Sequence, residues 1–277
     1  MHLRPILFFG LLLTLLGGCM HEDSPASYAE RIVIEGRIDQ GGTAIVSLSL
    51  NKSFVDSFDQ DEFRNMIVRW AMVTISDSER SEVLTGRNHN DYPTRYIYTG
   101  LDIVGKAGET YTLCVEYGGR TWSATTTIPQ SGKPLNLTRE WVSDSLYRLT
   151  ADVCVPKGCE AFMIECAMGQ SKYYCPALLG IIECDGRDTI HQITINRPLD
   201  YLNIDDYTTL FHRDDEVRLR LCTMGQFGYE YWSCWENINA NSRNPLFPPE
   251  SNPPTNFSGD AIGIWCGYGT TLFPPTY

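Results

Sequence analysis

Apolar and polar residues alternate with a period of two through most of the chain from residue 31 onward. Ala44, Val46, Leu48 and Leu50 share one face, with Thr43, Ser47 and Ser49 on the other. Tyr111, Leu113, Val115 and Tyr117 alternate with Thr110, Thr112, Cys114 and Glu116. Successive side chains of a strand point to opposite faces, so this pattern predicts half-buried strands. Further strands are predicted at 31–38, 68–76, 95–99 and 120–128. Gln40-Gly41-Gly42, Asn88-His89-Asn90-Asp91 and Gly118-Gly119 supply the turns between them. Short strands, close turns and the lack of a long helical period predict an immunoglobulin-like β-sandwich over residues 30–129.

Pro129-Gln130-Ser131-Gly132-Lys133-Pro134 breaks the alternation and marks the best candidate domain boundary. Beyond it, Tyr147, Leu149, Ala151, Val153 and Val155 form one strand face, and Phe162, Ile164 and Cys166 another. Val217, Leu219 and Leu221 alternate with Glu216, Arg218 and Arg220. Phe227, Tyr231, Cys234, Trp235 and Ile238 instead fall on a single helical face, which predicts a helix over 226–239. A shorter helix is expected within 199–210. Five prolines between 244 and 254 require an extended segment, followed by a last strand at 259–265. Residues 134–277 therefore read as a second β-rich domain with one packed helix and a Pro-rich tail. The fold class is mainly β, and no internal repeat is visible in the sequence.

Composition narrows the function. The 277 residues are 43% hydrophobic and 12% aromatic, as in a globular chain. A formal charge of -12 argues against nucleic acid, which requires a basic stripe to displace counterions, and against electrostatic docking on anionic lipid.

The N-terminus carries the most specific signal. Arg4 precedes an apolar run from Ile6 to Leu16, too short to span a membrane but suited to the core of a signal peptide. Leu16-Gly17-Gly18-Cys19 resembles the bacterial lipobox, which implies removal of residues 1–18 and acylation of the Cys19 thiol. Several acyl chains would make the membrane anchoring effectively permanent. Residues 19–29 are polar and acidic and read as a flexible tether. The acidic stretch resembles the export signal of surface lipoproteins in Bacteroidota-type bacteria.

A wider resemblance rests on Ile34-Glu35-Gly36, Val46-Ser47-Leu48-Ser49, Gly108-Glu109-Thr110-Tyr111-Thr112-Leu113 and Trp122-Ser123-Ala124-Thr125-Thr126-Thr127-Ile128-Pro129. It continues in Asn244-Pro245-Leu246-Phe247, Asn256-Phe257-Ser258-Gly259 and Gly263 to Tyr268. In this order the motifs resemble the lipoproteins called "domain of unknown function 4249", over roughly residues 30–268. The resemblance implies an outer-membrane lipoprotein, often associated with a TonB-dependent transporter. It implies no catalytic residues.

Cys19 aside, Cys154, Cys159, Cys166, Cys175, Cys184, Cys222, Cys234 and Cys266 cluster in the second half, with Cys114 alone before the boundary. Export to an oxidising compartment predicts disulfides among the eight, with 105 possible pairings. Cys114, Cys154 and Cys222 fall on the polar faces of their strands. No metal or cofactor is expected: there is no C-x2-C pair and no H-E-x-x-H. No G-x-S-x-G elbow and no Gly-rich phosphate loop is present, so no catalytic residues are assigned. Tyr229, Trp232, Phe247, Phe257 and Tyr268 exceed what one core-facing stripe requires and form the candidate binding surface. Asp144-Ser145-Leu146 and Asp188-Thr189-Ile190 resemble bacterial O-glycosylation acceptors at Ser145 and Thr189. The expectation is a non-enzymatic binding or accessory lipoprotein of the outer membrane and cell surface, working with a TonB-dependent transporter. The alternatives are a structural or adhesive surface protein and a hydrolase with an unrecognised site.

Overall fold

The computed structural model describes residues 30–51, 65–199, 207–241 and 253–275. The segments expected to be signal peptide and tether, including Cys19, lie outside them, as do Phe247 and most of the 199–210 segment.

The first eight strands include one in every segment expected between 31 and 128, and two short ones at 81–83 and 85–88 that the alternation did not predict. They are β1 (Ile32–Asp39), β2 (Thr43–Leu50), β3 (Met72–Ser76), β4 (Ser81–Val83), β5 (Thr85–Asn88), β6 (Tyr96–Val104), β7 (Thr110–Tyr117) and β8 (Arg120–Thr127). They pair as β1-β2-β6-β5 and β4-β3-β7-β8. These are the A-B-E-D and C-F-G sheets of an immunoglobulin-type sandwich, the second extended by one strand. Ile34, Val46, Leu48, Val73, Leu113 and Val115 fill the space between them. Gly118 and Gly119 both have positive φ (59° and 76°), as a two-residue hairpin turn requires. The Tyr111 hydroxyl accepts from the Lys106 amide (2.9 Å) and donates to the Val104 carbonyl (3.3 Å). That is the tyrosine corner of such sandwiches, at the start of the F strand.

The second half repeats the plan. Its strands are β9 (Lys133–Trp141), β10 (Leu146–Cys154), β11 (Ala161–Met168), β12 (Cys175–Glu183), β13 (Thr189–Ile195), β14 (Phe211–His212), β15 (Val217–Met224) and β16 (Ile262–Leu272). β10 pairs with β9 on one edge and with β13 and β14 on the other, while β12-β11-β15-β16 form the opposing layer. This is again an A-B-E sheet facing an extended C-F-G sheet, around Tyr147, Leu149, Phe162, Ile164, Phe211 and Leu221. The sequence shows no repeat, but the topology does.

The two sandwiches share a sheet. β16 runs parallel to β1, with Val33 opposite Ile262 and Asp39 opposite Tyr268. The result is one eight-stranded sheet, β12-β11-β15-β16-β1-β2-β6-β5. Each sandwich thereby covers an edge strand of the other, removing two exposed templates for aggregation. Residues 256–268 consequently belong to the first core more than to the second. Phe257, Ala261 and Trp265 are buried there, and Trp265 donates its indole N–H to the Tyr111 carbonyl at 3.0 Å. Gly36 faces Trp265 in register, and a Cβ at Gly36 would lie 2.7 Å from the indole ring. The Ile-Glu-Gly motif is thus a seat for an aromatic ring more than 200 residues away. Asn256 fixes the approach by holding both the amide and the carbonyl of Trp265, at 3.0 and 2.8 Å.

Candidate functional site

Alternation on β1 places Ile34, Gly36 and Ile38 toward the sandwich interior, so Glu35, Arg37 and Asp39 emerge on the opposite face of the shared sheet. Across the seam, Glu165 on β11 lies in register with Arg220 on β15, on that same outer face. The four charges interlock. Arg37 donates to Glu165 (2.8 Å) and Asp39 (2.8 and 3.0 Å), and Arg220 donates to Glu165 (2.8 Å) and Asp39 (2.9 Å). Glu165 is 1% exposed. Burial raises its carboxyl, but the two guanidinium groups outweigh that and hold it at about 2. The quartet is electrically neutral and ties β1 of the first sandwich to β11 and β15 of the second.

Helix α1 (Gln226–Asn241) covers part of this face, its span agreeing with the sequence expectation. Tyr231 is buried against Met163, Met224, Ile264 and Tyr268, with Phe227, Tyr229 and Trp232 packed around it. Glu236 accepts the amides of Leu179 and Gly180 and so pins the helix to β12.

Between helix, seam and loops lies a pocket of about 100 Å³. Its lining comes from both sandwiches and the helix: Glu35, Arg37, Tyr92, Tyr173, Tyr231 and Trp232 are the groups with chemistry to offer. Tyr92 and Tyr173 meet edge to face at 5.2 Å, as do Tyr231 and Trp232 at 5.3 Å. Trp232 donates its indole N–H to the Tyr268 hydroxyl at 2.7 Å, and the Arg37 guanidinium sits 4.7 Å from the Tyr268 ring centre. The Glu35 carboxylate reaches solvent through the pocket, while protein crowds its other sides. That crowding raises its carboxyl, against a weak pull downward from a long hydrogen bond donated by Ser47 (3.5 Å). Burial likewise raises the hydroxyls of Tyr173 and Tyr231, and the nearby Glu35 charge adds to it.

Of the expected binding surface, Trp232 and Tyr268 come together at this pocket. The others do not join them. Phe257 is buried in the first core, and Tyr229 turns to β12, where its hydroxyl donates to Glu183 at 3.2 Å. Phe247 lies outside the described residues. The expected exposed aromatic surface is therefore corrected to a pocket in which Tyr268 is itself buried. Glu35, Arg37, Tyr92 and Tyr173 escaped the sequence reading. The usable signal was a Glu and an Arg alternating within the otherwise apolar strand Ile-Val-Ile-Glu-Gly-Arg-Ile, and a lone Glu165 inside Ala-Phe-Met-Ile-Glu-Cys-Ala-Met.

The cysteines also depart from expectation. Among the described residues, Cys114, Cys154, Cys159, Cys166, Cys175, Cys184, Cys222 and Cys266 are free thiols. Strand geometry disperses most of them: Cys154 pairs with Thr189 and Lys133, and Cys266 with Arg37. Cys222, expected on a solvent face, is buried, because α1 and the charge quartet cover that side; its thiol donates to Glu165 at 3.1 Å. Cys166 and Cys175 do face each other across β11 and β12. Cys159 and Cys184 share a hydrogen bond that raises the Cys159 thiol and lowers that of Cys184. Ser145 lies in the exposed β9–β10 turn, and Thr189 opens β13, half-buried.

The order of motifs found along the chain is matched by a family model. "Domain of unknown function (DUF4249)" covers residues 21–268. The chain belongs to this family. The DUF4249 name brings no activity with it. No curated protein matches the chain. A solved structure, "Anomalous substructure of Titin-A168169", matches at 10% identity over 72% of this chain and 93% of that one, with a TM-score of 0.22.

Proposed function

We propose that this DUF4249 protein is a lipid-anchored binding subunit of the outer membrane, tethered through Cys19, displayed at the cell surface and working as an accessory to a TonB-dependent transporter. The observation that supports binding is the pocket at the seam. It is concave, lined by aromatic rings, and offers one carboxylate without a close partner among the described residues, the usual make-up of a small-ligand site. A binding role is favoured over hydrolysis because general acid–base work on glycosides calls for two positioned carboxylates, and the pocket offers Glu35 alone; Glu165 and Asp39 are held by arginines. Anchoring beside a transporter raises the local concentration, so a modest contact suffices for partnership.

The test is capture of the native lipoprotein from detergent-solubilised membranes. Co-purification of a large outer-membrane β-barrel is the expected result. Recovery of fimbrial or other filament subunits in its place would overturn the accessory reading in favour of an adhesive role. The Cys19→Ala variant is expected to remain an unacylated precursor and to lose the barrel. Normal mature mass and detergent partitioning of that variant would refute the anchor.

A further inference from the structure

We infer that the seam pocket is a receptor for a compact organic ammonium group, with Glu35 as its counter-ion and Tyr92, Tyr173, Tyr231 and Trp232 as its walls. This deepens the binding reading above and is independent of the transporter partnership.

Three observations carry it. First, the charges around the pocket do not cancel at its centre. Among the described residues Arg37 is the one cation in the lining, and its donors are engaged by Asp39 and Glu165 in the neutral quartet. Among the described residues, Glu35 has only the 3.5 Å contact from Ser47. The pocket therefore presents net negative charge. Second, the walls are π-faces and ring edges from four side chains, Tyr231 and Trp232 on α1 and Tyr92 and Tyr173 on two separate loops. Cations are drawn to the faces of Trp and Tyr rings, and the attraction grows when water is excluded. A carboxylate beside such rings favours a positive ligand over a neutral one of the same shape and repels an anion. Third, the space suits a small group. At about 100 Å³ the pocket is smaller than the ~150 Å³ cavity that accepts benzene. That leaves room for an ammonium bearing a few methyl or methylene groups, with its remainder pointing out through the mouth.

The seat is preorganised. Tyr268 is locked by Trp232 on one side and Arg37 on the other. Tyr231 is buried in the cluster beneath the helix. Glu35 is set by β1 pairing with β2 and β16 at once, opposite Ser47 and Ile264. Little side-chain freedom remains to be lost on binding.

The experiment titrates the full-length lipoprotein in an uncharged maltoside micelle with tetramethylammonium chloride, at ionic strength held constant with sodium chloride. The readout is the indole N–H resonance of Trp232, which lines the pocket. A saturable shift is expected, with at least tenfold weaker binding of tert-butanol, a neutral molecule with the same number of heavy atoms. Glu35→Gln, isosteric and on an accessible side chain, is expected to lose at least tenfold in affinity with an unchanged melting temperature. The inference is overturned if tetramethylammonium gives no saturable shift, if tert-butanol binds as well, or if Glu35→Gln binds as tightly as the parent. The wild-type comparison of cation with alcohol decides the matter even if the variant misfolds. Barrel capture with no cation binding would sink this inference and leave the accessory reading standing. Cation binding without barrel capture would do the reverse.

Discussion

The two sandwiches have one strand order and two very different F–G connections. In the first, β7 and β8 are joined by Gly118-Gly119, and the core is sealed by the Tyr111 corner. In the second, residues 225–261 separate β15 from β16 and include α1 and a return segment. That segment does not return to its own sandwich. It clasps β8 of the first, with Asp260 accepting from the Trp122 indole (3.0 Å) and Ser258 bonding Ser123 (2.8 and 2.9 Å). The difference shows where a repeated fold acquires function. One copy keeps the minimal hairpin and provides a scaffold. The other expands one loop into a helix that roofs the shared sheet and creates the pocket.

If the sandwiches are coupled through the quartet, breaking it should have the largest effect. Glu165→Ala leaves two half-buried guanidinium groups to share Asp39 alone and is expected to cost about 3–5 kcal/mol, measured by chemical denaturation. The same carboxyl sets an acid limit. Its pKa is depressed from an ordinary 4.5 to about 2, so its contribution is complete above pH 4.5 and is lost as pH falls through that window. Equilibrium unfolding followed between pH 5 and 2 should show the wild type losing this increment and Glu165→Ala lacking it.

Trp265→Ala sharpens the comparison, because it changes a strand of the second sandwich while emptying a space in the first. A loss of about 3–4 kcal/mol is expected, and hydrogen exchange should accelerate in β1 and β7 more than in β9 and β10. The opposite ranking would mean that β16 serves the second core after all. Gly118→Ala tests the minimal hairpin. Its φ of 59° is costly for a residue with a Cβ, by roughly 1–2 kcal/mol, with no effect expected on the pocket. Trp232→Phe is the mildest change. It removes one hydrogen bond to Tyr268, worth about 1 kcal/mol, and is expected to weaken pocket binding more than it lowers the melting temperature.

Much of the first sandwich is legible in the sequence because its strands face water on one side. β2 and β7 alternate cleanly, and the Gly-Gly turn marks the hairpin from β7 into β8. The helix was legible from Phe227, Tyr231 and Trp235 for the same reason, an apolar stripe against a polar remainder. The seam was not. β11 is buried along nearly its whole length, so Glu165 stands in a continuous apolar run and gives no facing information. Arg220 and Cys222 read as solvent-facing because nothing local announces that a helix will cover them. The parallel pairing of β1 with β16 is set by tertiary packing of Trp265 on Gly36, which no window of a dozen residues contains. The pocket inherits that opacity, since Glu35, Tyr92, Tyr173 and Trp232 meet only once the seam has formed.

The pairing of the first and last strands also imposes a schedule. A chain made from its N-terminus presents β1 long before Ile262–Leu272 exists. Until then, the outer edge of β1 has no partner, Gly36 faces an empty space, and Arg37 and Asp39 can meet Glu165 and Arg220 only loosely. Native contacts of such sequence separation form slowly. The final strand therefore acts as a completion check: a translation product truncated before residue 262 lacks the indole and the seam together, and keeps an open strand edge accessible to proteolysis.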